Sequence, residues 1–352
     1  MKYKKWSIRT LLLAILPLLL VVAVNYYIDP LWLTNHSSKY NQRQMVIDER
    51  QQKTNFITFN DFDYDTLIIG SSRTTHINQE DFIGHKAYNY SVSAMRVWEY
   101  NDYIEYAKKV KGGDFDTIVM ELYYDSFEKN LLDNSEDPLH YIDQANSPFY
   151  RIKSLLSYDT LKYSFQNYTA STKKEFIETR MYNRKNTAEA KRFTNEEALA
   201  AKTSFQNTFT DTPTNYDENY LQTLETLKKN NPNTKFIIFT NPTSDYTLKG
   251  NVRDKETFAD YERWLTEITY VFDNVYNFAY LNSITTDPNN YYDPYHFYPE
   301  VGKLIVDKIM GYSNPDIPSD FGVKIDVGNI DEHLQFVREQ LGIDLESSSS
   351  SL

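Results

Sequence analysis

The longest uninterrupted feature of the chain is apolar: Leu11 to Val24 runs without a charge, preceded by Lys2, Lys4, Lys5 and Arg9 and followed by Asn25-Tyr-Tyr-Ile28. From Trp6 to Ile28 it is long enough to cross about 30 Å of hydrocarbon as a helix, with Tyr26 and Tyr27 suited to the outer interface and the basic cluster held inside. The pattern predicts an uncleaved anchor over 1–28, favoured over a signal peptide cut after Val21-Val-Ala23. Asn41 to Lys53 is polar and helix-compatible, and 29–60 reads as a stalk packed on the domain that follows.

Beyond 61 the pattern turns to short apolar runs separated by amphipathic stretches. Leu67, Ile68 and Ile69 lack polar alternation, as a strand covered on both faces does, and Gly70 permits a sharp stop. Further strands are predicted at Lys86 to Tyr90, Thr117 to Leu122, Lys235 to Phe239 and Val275 to Phe278. Helices are predicted near Gln79 to Phe82 and at Met95 to Val110, Tyr216 to Lys229, Lys255 to Phe272, Pro299 to Met310 and Ile330 to Leu341. Strands alternating with helices imply an α/β domain over 61–312 with a parallel sheet wrapped by helices. Ser126 to about Asn215 contains no convincing strand and follows the third strand; it reads either as a helical cap over the carboxyl edge of the sheet or as a mobile excursion. Residues 313–352 form an extension ending in a disordered tail at Ser347 to Ser351.

Composition narrows the function classes. With 37 Lys and Arg against 49 Asp and Glu the chain is acidic, more so once the four basic N-terminal residues are set aside, which argues against nucleic acid as a partner. The absence of cysteine excludes disulfides, thiol catalysis and Cys-ligated zinc. His36, His76, His85, His140 and His333 show no metal-ligand spacing, so neither metal nor cofactor is expected. The 30 Tyr residues read mainly as half-buried structural positions, some of them able to stack on sugar rings.

Two stretches carry the chemistry. Gly70-Ser71-Ser72-Arg73 delivers hydroxyls to the end of the first sheet strand, where ligands of open α/β sheets bind. Asp293-Pro-Tyr-His296 precedes the Pro299 helix and offers an imidazole beside a carboxylate. Ser72, His296 and Asp293 are therefore candidate nucleophile, base and orienter. Arg73 binds a substrate carboxylate or pairs with a neighbouring acid. Asn241, after the fourth strand, either donates to an oxyanion or serves ordinary Asn-Pro turn chemistry.

Together these stretches resemble the SGNH/GDSL hydrolase superfamily, with its Gly-Asp-Ser first block and Asp-x-x-His last block, over roughly Tyr64 to Met310. The resemblance implies a three-layer, flavodoxin-like parallel sheet, with Ser71 standing where the family has Asp. Asn89-Tyr-Ser-Val-Ser-Ala94 is similar to the second block, in which Ala94 would offer its backbone N–H to the oxyanion in place of a glycine. The third block departs: Asp125 stands where the family's Asn donates, and an ionised Asp only accepts. Either Asp125 is protonated, or Tyr123 or Tyr124 donates, or the oxyanion hole is smaller. Anchored members with a Gly-Ser-Ser-Arg block look like those that modify an exported or cell-surface glycan beside a multi-spanning membrane acyltransferase. The expectation is a single-pass, extracytoplasmic serine acyltransferase or esterase; the rivals are a plain esterase or lipase and a catalytically silent glycan-binding or assembly factor.

Overall fold

In the computed structural model, residues 2–129, 137–194, 196–197 and 214–343 are described, and the chain divides into two units: 1–62 with 137–191, and 63–136 with 192–352. The tail expected at Ser347 to Ser351 and parts of the predicted cap lie outside the described residues.

The first unit begins with the apolar run, which forms helix α1 (Lys2–Ile28); its stretch Arg9–Ile28 is long and apolar enough to cross a membrane. Polarity returns in the last turns, and there the unit closes around it. Buried Asn25 donates through Nδ2 to the carbonyls of Leu155 and Ser157 (2.9 and 3.1 Å) and accepts from Ser164 Oγ at 2.9 Å. Asp29 is buried as well, paired with Arg184 at 2.7 Å and accepting from the N–H groups of Leu33 and Thr34. A charge removed from water needs such a full set of partners.

Strand β1 (Gln44–Met45) and helix α2 (Glu49–Phe59) follow. The helix expected from Asn41 starts only at Glu49, after Asp48, whose carboxylate accepts from the Gln51 N–H and so caps the first turn. The chain returns to this unit with α4 (Pro138–Asn146), α5 (Tyr150–Leu156), α6 (Tyr158–Lys173), β5 (Arg180–Tyr182) and β6 (Ala188–Ala190), numbered in chain order. The insertion expected to lack strands thus contributes two, pairing antiparallel in the order β1-β5-β6. Arg-Met-Tyr and Ala-Glu-Ala are too short to show a period in sequence. The stretch expected as a stalk and residues 137–191 of the expected cap share one unit with α1.

In the second unit lie β2 (Thr66–Ile69), β3 (Ala87–Asn89), α3 (Val97–Lys111), β4 (Thr117–Glu121), α7 (Tyr220–Asn230), β7 (Lys235–Phe239), α8 (Asp245–Asn251), α9 (Lys255–Phe272), β8 (Val275–Asn277), α10 (Pro299–Met310), β9 (Val323–Ile325) and α11 (Ile330–Leu341). The strands make a six-stranded sheet in the order β3-β2-β4-β7-β8-β9, parallel except for β9. Ile68, Val119, Ile237 and Phe239 pack on one face with Val301, Ile305 and Ile309 of α10. On the other, Phe236 meets Phe272 of α9 at 5.2 Å between ring centroids. Helices on both faces explain why the strands read as continuous apolar runs. The antiparallel edge strand β9 falls in the C-terminal extension, where no strand was predicted, since Val-Lys-Ile offers no apolar run. The helix expected from Tyr216 starts at Tyr220, because Tyr216 instead bridges Glu128 and stacks on Phe127.

One feature of this order positions the site. From β2 the chain passes to β3 on one side and then crosses to β4 on the other, so the strand order reverses at the carboxyl end of β2. A crevice opens at such a reversal, and ligands of open α/β sheets use it.

Candidate active site

Ser72 stands at that reversal. A Cβ on Gly70 would lie 2.4 Å from Thr74 Oγ1 and 2.8 Å from Glu121 Cβ, so only glycine lets the chain turn this tightly off β2. Glu121, the last residue of β4, fixes the turn: its Oε2 accepts from the Ser71 N–H and from Thr74 Oγ1, both at 2.7 Å. Sequence reasoning missed Glu121, although an acid closing a buried apolar strand has to find donors and was itself the signal. Behind the turn, α10 approaches so closely that a Cβ on Gly302 would sit 2.4 Å from the His76 carbonyl oxygen.

His296 is carried by the loop between β8 and α10, which is held at both ends. Tyr291 bridges Phe297, and the Tyr292 N–H donates to the His296 carbonyl at 3.1 Å. The Pro294 carbonyl accepts from Ser244 Oγ and Thr247 Oγ1, each at 2.7 Å. Inside the loop, Asp293 Oδ1 accepts from the N–H groups of Tyr295 and His296, both at 2.8 Å. The three-residue spacing therefore lets one carboxylate cap the turn and also reach the imidazole, His296 Nδ1 lying 2.8 Å from Asp293 Oδ2. On the far side of the ring, His296 Nε2 lies 2.8 Å from Ser72 Oγ.

The electrostatics set the direction of that chain. Burial raises the Asp293 pKa, but the hydrogen bond and charge of His296, with the two backbone N–H groups, outweigh it and leave the carboxyl below its ordinary value. An ionised Asp293 can only accept, so Nδ1 carries the proton and Nε2 turns its lone pair to the Ser72 hydroxyl. Ser72 remains partly exposed, within reach of a ligand.

A ring stack backs the imidazole. Tyr292 lies parallel to His296, 5.5 Å between centroids and 5° between planes, with Phe193 on Tyr292 in turn. The Tyr292 hydroxyl lies 2.8 Å from Nε2 of buried His76. Tyr292 was not singled out in sequence, where it is one tyrosine among 30; its place beside Asp293 was the available signal.

The other candidates divide. Arg73 donates to Asn241 Oδ1 at 3.3 Å, and its guanidinium lies 5.1 Å from the Tyr123 ring centroid and 5.7 Å from that of Tyr295. The Asn241 amide donor is engaged with Thr243 Oγ1 at 3.3 Å, in keeping with turn chemistry. Ser71 is buried, and its Oγ accepts from the Arg73 N–H at 3.4 Å. Ala94 has φ 52°, in the left-handed region where glycine is at ease. Asp125 shares that region, at φ 70°, and among the described residues its Oδ1 is buried without a hydrogen-bond partner. Burial pushes the Asp125 carboxyl up to about 6, with Arg73 and Arg96 opposing. The two tyrosines considered as donors are committed elsewhere, Tyr123 to the Met95 carbonyl and Tyr124 to the Thr257 carbonyl, each at 3.1 Å. Among the described residues no group of three or more His, Cys, Asp or Glu is arranged to hold a metal ion.

No family model matches the chain, and no curated protein matches it.

Proposed function

We propose that the protein is an SGNH-type serine acyltransferase or esterase, held in a membrane by α1 with the remainder extracytoplasmic, and that it acts on an exported or cell-surface glycan. The observation that carries this reading is the hydrogen-bonded chain Ser72 Oγ, His296 Nε2, His296 Nδ1, Asp293, assembled at a strand-order reversal from residues more than 220 positions apart. The order β3-β2-β4-β7-β8, second-first-third-fourth-fifth along the parallel strands, is that of flavodoxin-like sheets and supports the same placement.

In the proposed reaction Ser72 Oγ attacks an ester carbonyl carbon while its proton passes to His296 Nε2, and the imidazolium is stabilised by Asp293. As the tetrahedral intermediate collapses, the leaving alkoxide takes that proton and the acyl group stays on Ser72. An acceptor hydroxyl, from a glycan or from water, then gives its proton to His296 and attacks the acyl-serine, and as that second intermediate collapses His296 returns the proton to Ser72 Oγ, restoring the free hydroxyl. The backbone N–H at Ala94 is the proposed oxyanion donor. A multi-spanning membrane acyltransferase is the proposed source of the acyl group, and a glycan hydroxyl the proposed acceptor.

Asp125, in place of a donating Asn, favours a second reading: a catalytically silent glycan-binding or assembly factor. One experiment separates the two. The full-length protein in detergent is treated with a fluorophosphonate probe, beside Ser72→Ala and His296→Ala. Labelling of the wild type that both substitutions abolish is the expected result. A folded wild type that stays unlabelled while a control serine hydrolase reacts would overturn the enzyme reading.

A further inference from the structure

The unit that receives the anchor helix exposes an apolar surface beside it. On α5 and its first cap, Phe149, Ile152 and Leu156 recur at helical spacing and are exposed, Phe149 by 72% and Ile152 by 56%. On α6, Tyr158, Phe165 and Tyr168 do the same, Phe165 by 59%. Contiguous exposed apolar area of this kind marks an interaction surface.

The groove between α1 and α6 sets the depth of that surface. It encloses about 450 Å³, and its walls include Leu20 and Val24 of α1 and Phe165 and Tyr168 of α6. Ser164 also lines it, with its hydroxyl turned to Asn25. The spanning stretch Arg9–Ile28 has 20 residues, about 30 Å of helix, which matches the hydrocarbon thickness with little to spare. Leu20 precedes Ile28 by two turns, about 12 Å along the axis. The groove runs from Leu20 to Tyr27, Ile28 and Tyr40, so its deep end lies below the boundary of the hydrocarbon and its other end at that boundary, with Phe165 and Tyr168 forming the α6 wall. Asn25 fixes this register, because its three hydrogen bonds tie the helix to the α5–α6 junction and to Ser164.

From this juxtaposition we infer that α5 and α6 are seated in the leaflet at the C-terminal end of α1, with a lipid acyl chain in the groove they form with the helix. The inference rests on the reading of α1 as a membrane span. The occupant is hydrocarbon because the surface is continuous with the lipid-facing side of α1. Aromatic residues mixed with exposed Lys153 and Lys162 are the composition of an interfacial segment. A membrane protein partner covering the same face is the competing occupant.

The chain has no cysteine, so single-cysteine variants report one position each. Leu16→Cys, Ile152→Cys, Phe165→Cys and Lys185→Cys, all at exposed positions, carry a nitroxide in the full-length protein, reconstituted alone in phosphatidylcholine–phosphatidylglycerol vesicles. Collision with oxygen, which enters hydrocarbon, is compared with collision with a water-soluble nickel chelate. Positions 152 and 165 are expected to show an oxygen-to-nickel ratio about tenfold above position 185, with position 16 higher still. Positions 152 and 165 matching position 185 while position 16 is immersed would overturn the inference, assign the face to a protein partner and leave the anchor intact. A water-exposed position 16 would overturn the anchor reading and the inference with it. A normal thermal midpoint for each variant shows that the label has not unfolded the unit.

Discussion

Ala94 holds a left-handed backbone with a side chain that is disfavoured there. That conformation costs about 1–2 kcal/mol for an L-residue, and glycine escapes it at an entropic cost of about 0.5–1 kcal/mol. Ala94→Gly is therefore expected to raise unfolding stability by about 0.5–1 kcal/mol in urea titration, and Ala94→Val to lower it. Two buried groups make stability depend on pH with opposite signs. Asp125 is raised from 3.8 to about 6, so between those values the folded state holds more protons than the unfolded chain and stability falls as pH rises. Burial lowers His333 from 6.5 to about 4, so over nearly the same interval the unfolded chain holds more protons and stability rises. The two slopes oppose each other in the wild type. Asp125→Asn removes one of them, and between pH 4 and 6.5 its stability is expected to gain on the wild type's by on the order of 2 kcal/mol. Thermal midpoints at the two pH values check this.

The elements that frame the site are held by close approach as much as by apolar burial. Gly302→Ala drives a methyl into the His76 carbonyl; the expected cost is about 1–3 kcal/mol, together with slower fluorophosphonate labelling as the turn after Ser72 shifts. Gly113→Ala, with open space at its Cβ, is the control and is expected to leave both unchanged. The parallel strands were legible in sequence because burial on both faces leaves an unbroken apolar run, and the Asp293–His296 pairing was legible because its spacing is local. β5, β6 and β9 were not: Arg-Met-Tyr, Ala-Glu-Ala and Val-Lys-Ile each place a charge within three residues, which leaves no apolar run to read, whereas β3 and β8, equally short, carry none. Glu121 and Tyr292 were hidden for a different reason. Glu121 acts on a turn 50 residues before it, and Tyr292 backs a ring only four residues on but reads as one tyrosine among 30; a carboxylate or phenol in isolation does not announce which turn or ring it will support.

At the scale of the whole chain, the unit formed by 1–62 and 137–191 closes around the C-terminal end of the apolar helix α1. Its buried Asp29–Arg184 pair is one fastening. Arg184→Met leaves the Asp29 carboxylate buried without its counter-charge, and the expected loss is about 3–5 kcal/mol, read as a lowered thermal midpoint in detergent. Asp29→Asn with Arg184→Met is expected to recover part of it, since no unpaired charge remains. The other fastening, Asn25, has a consequence for biosynthesis. Its partners Leu155, Ser157 and Ser164 leave the ribosome roughly ten seconds after it does, at ordinary elongation rates. In that interval the nascent helix carries an amide with nothing to bind, free to slide and rotate. Arrival of α5 and α6 ends that freedom, so the final seating of the N-terminal helix is decided by a segment translated long after it.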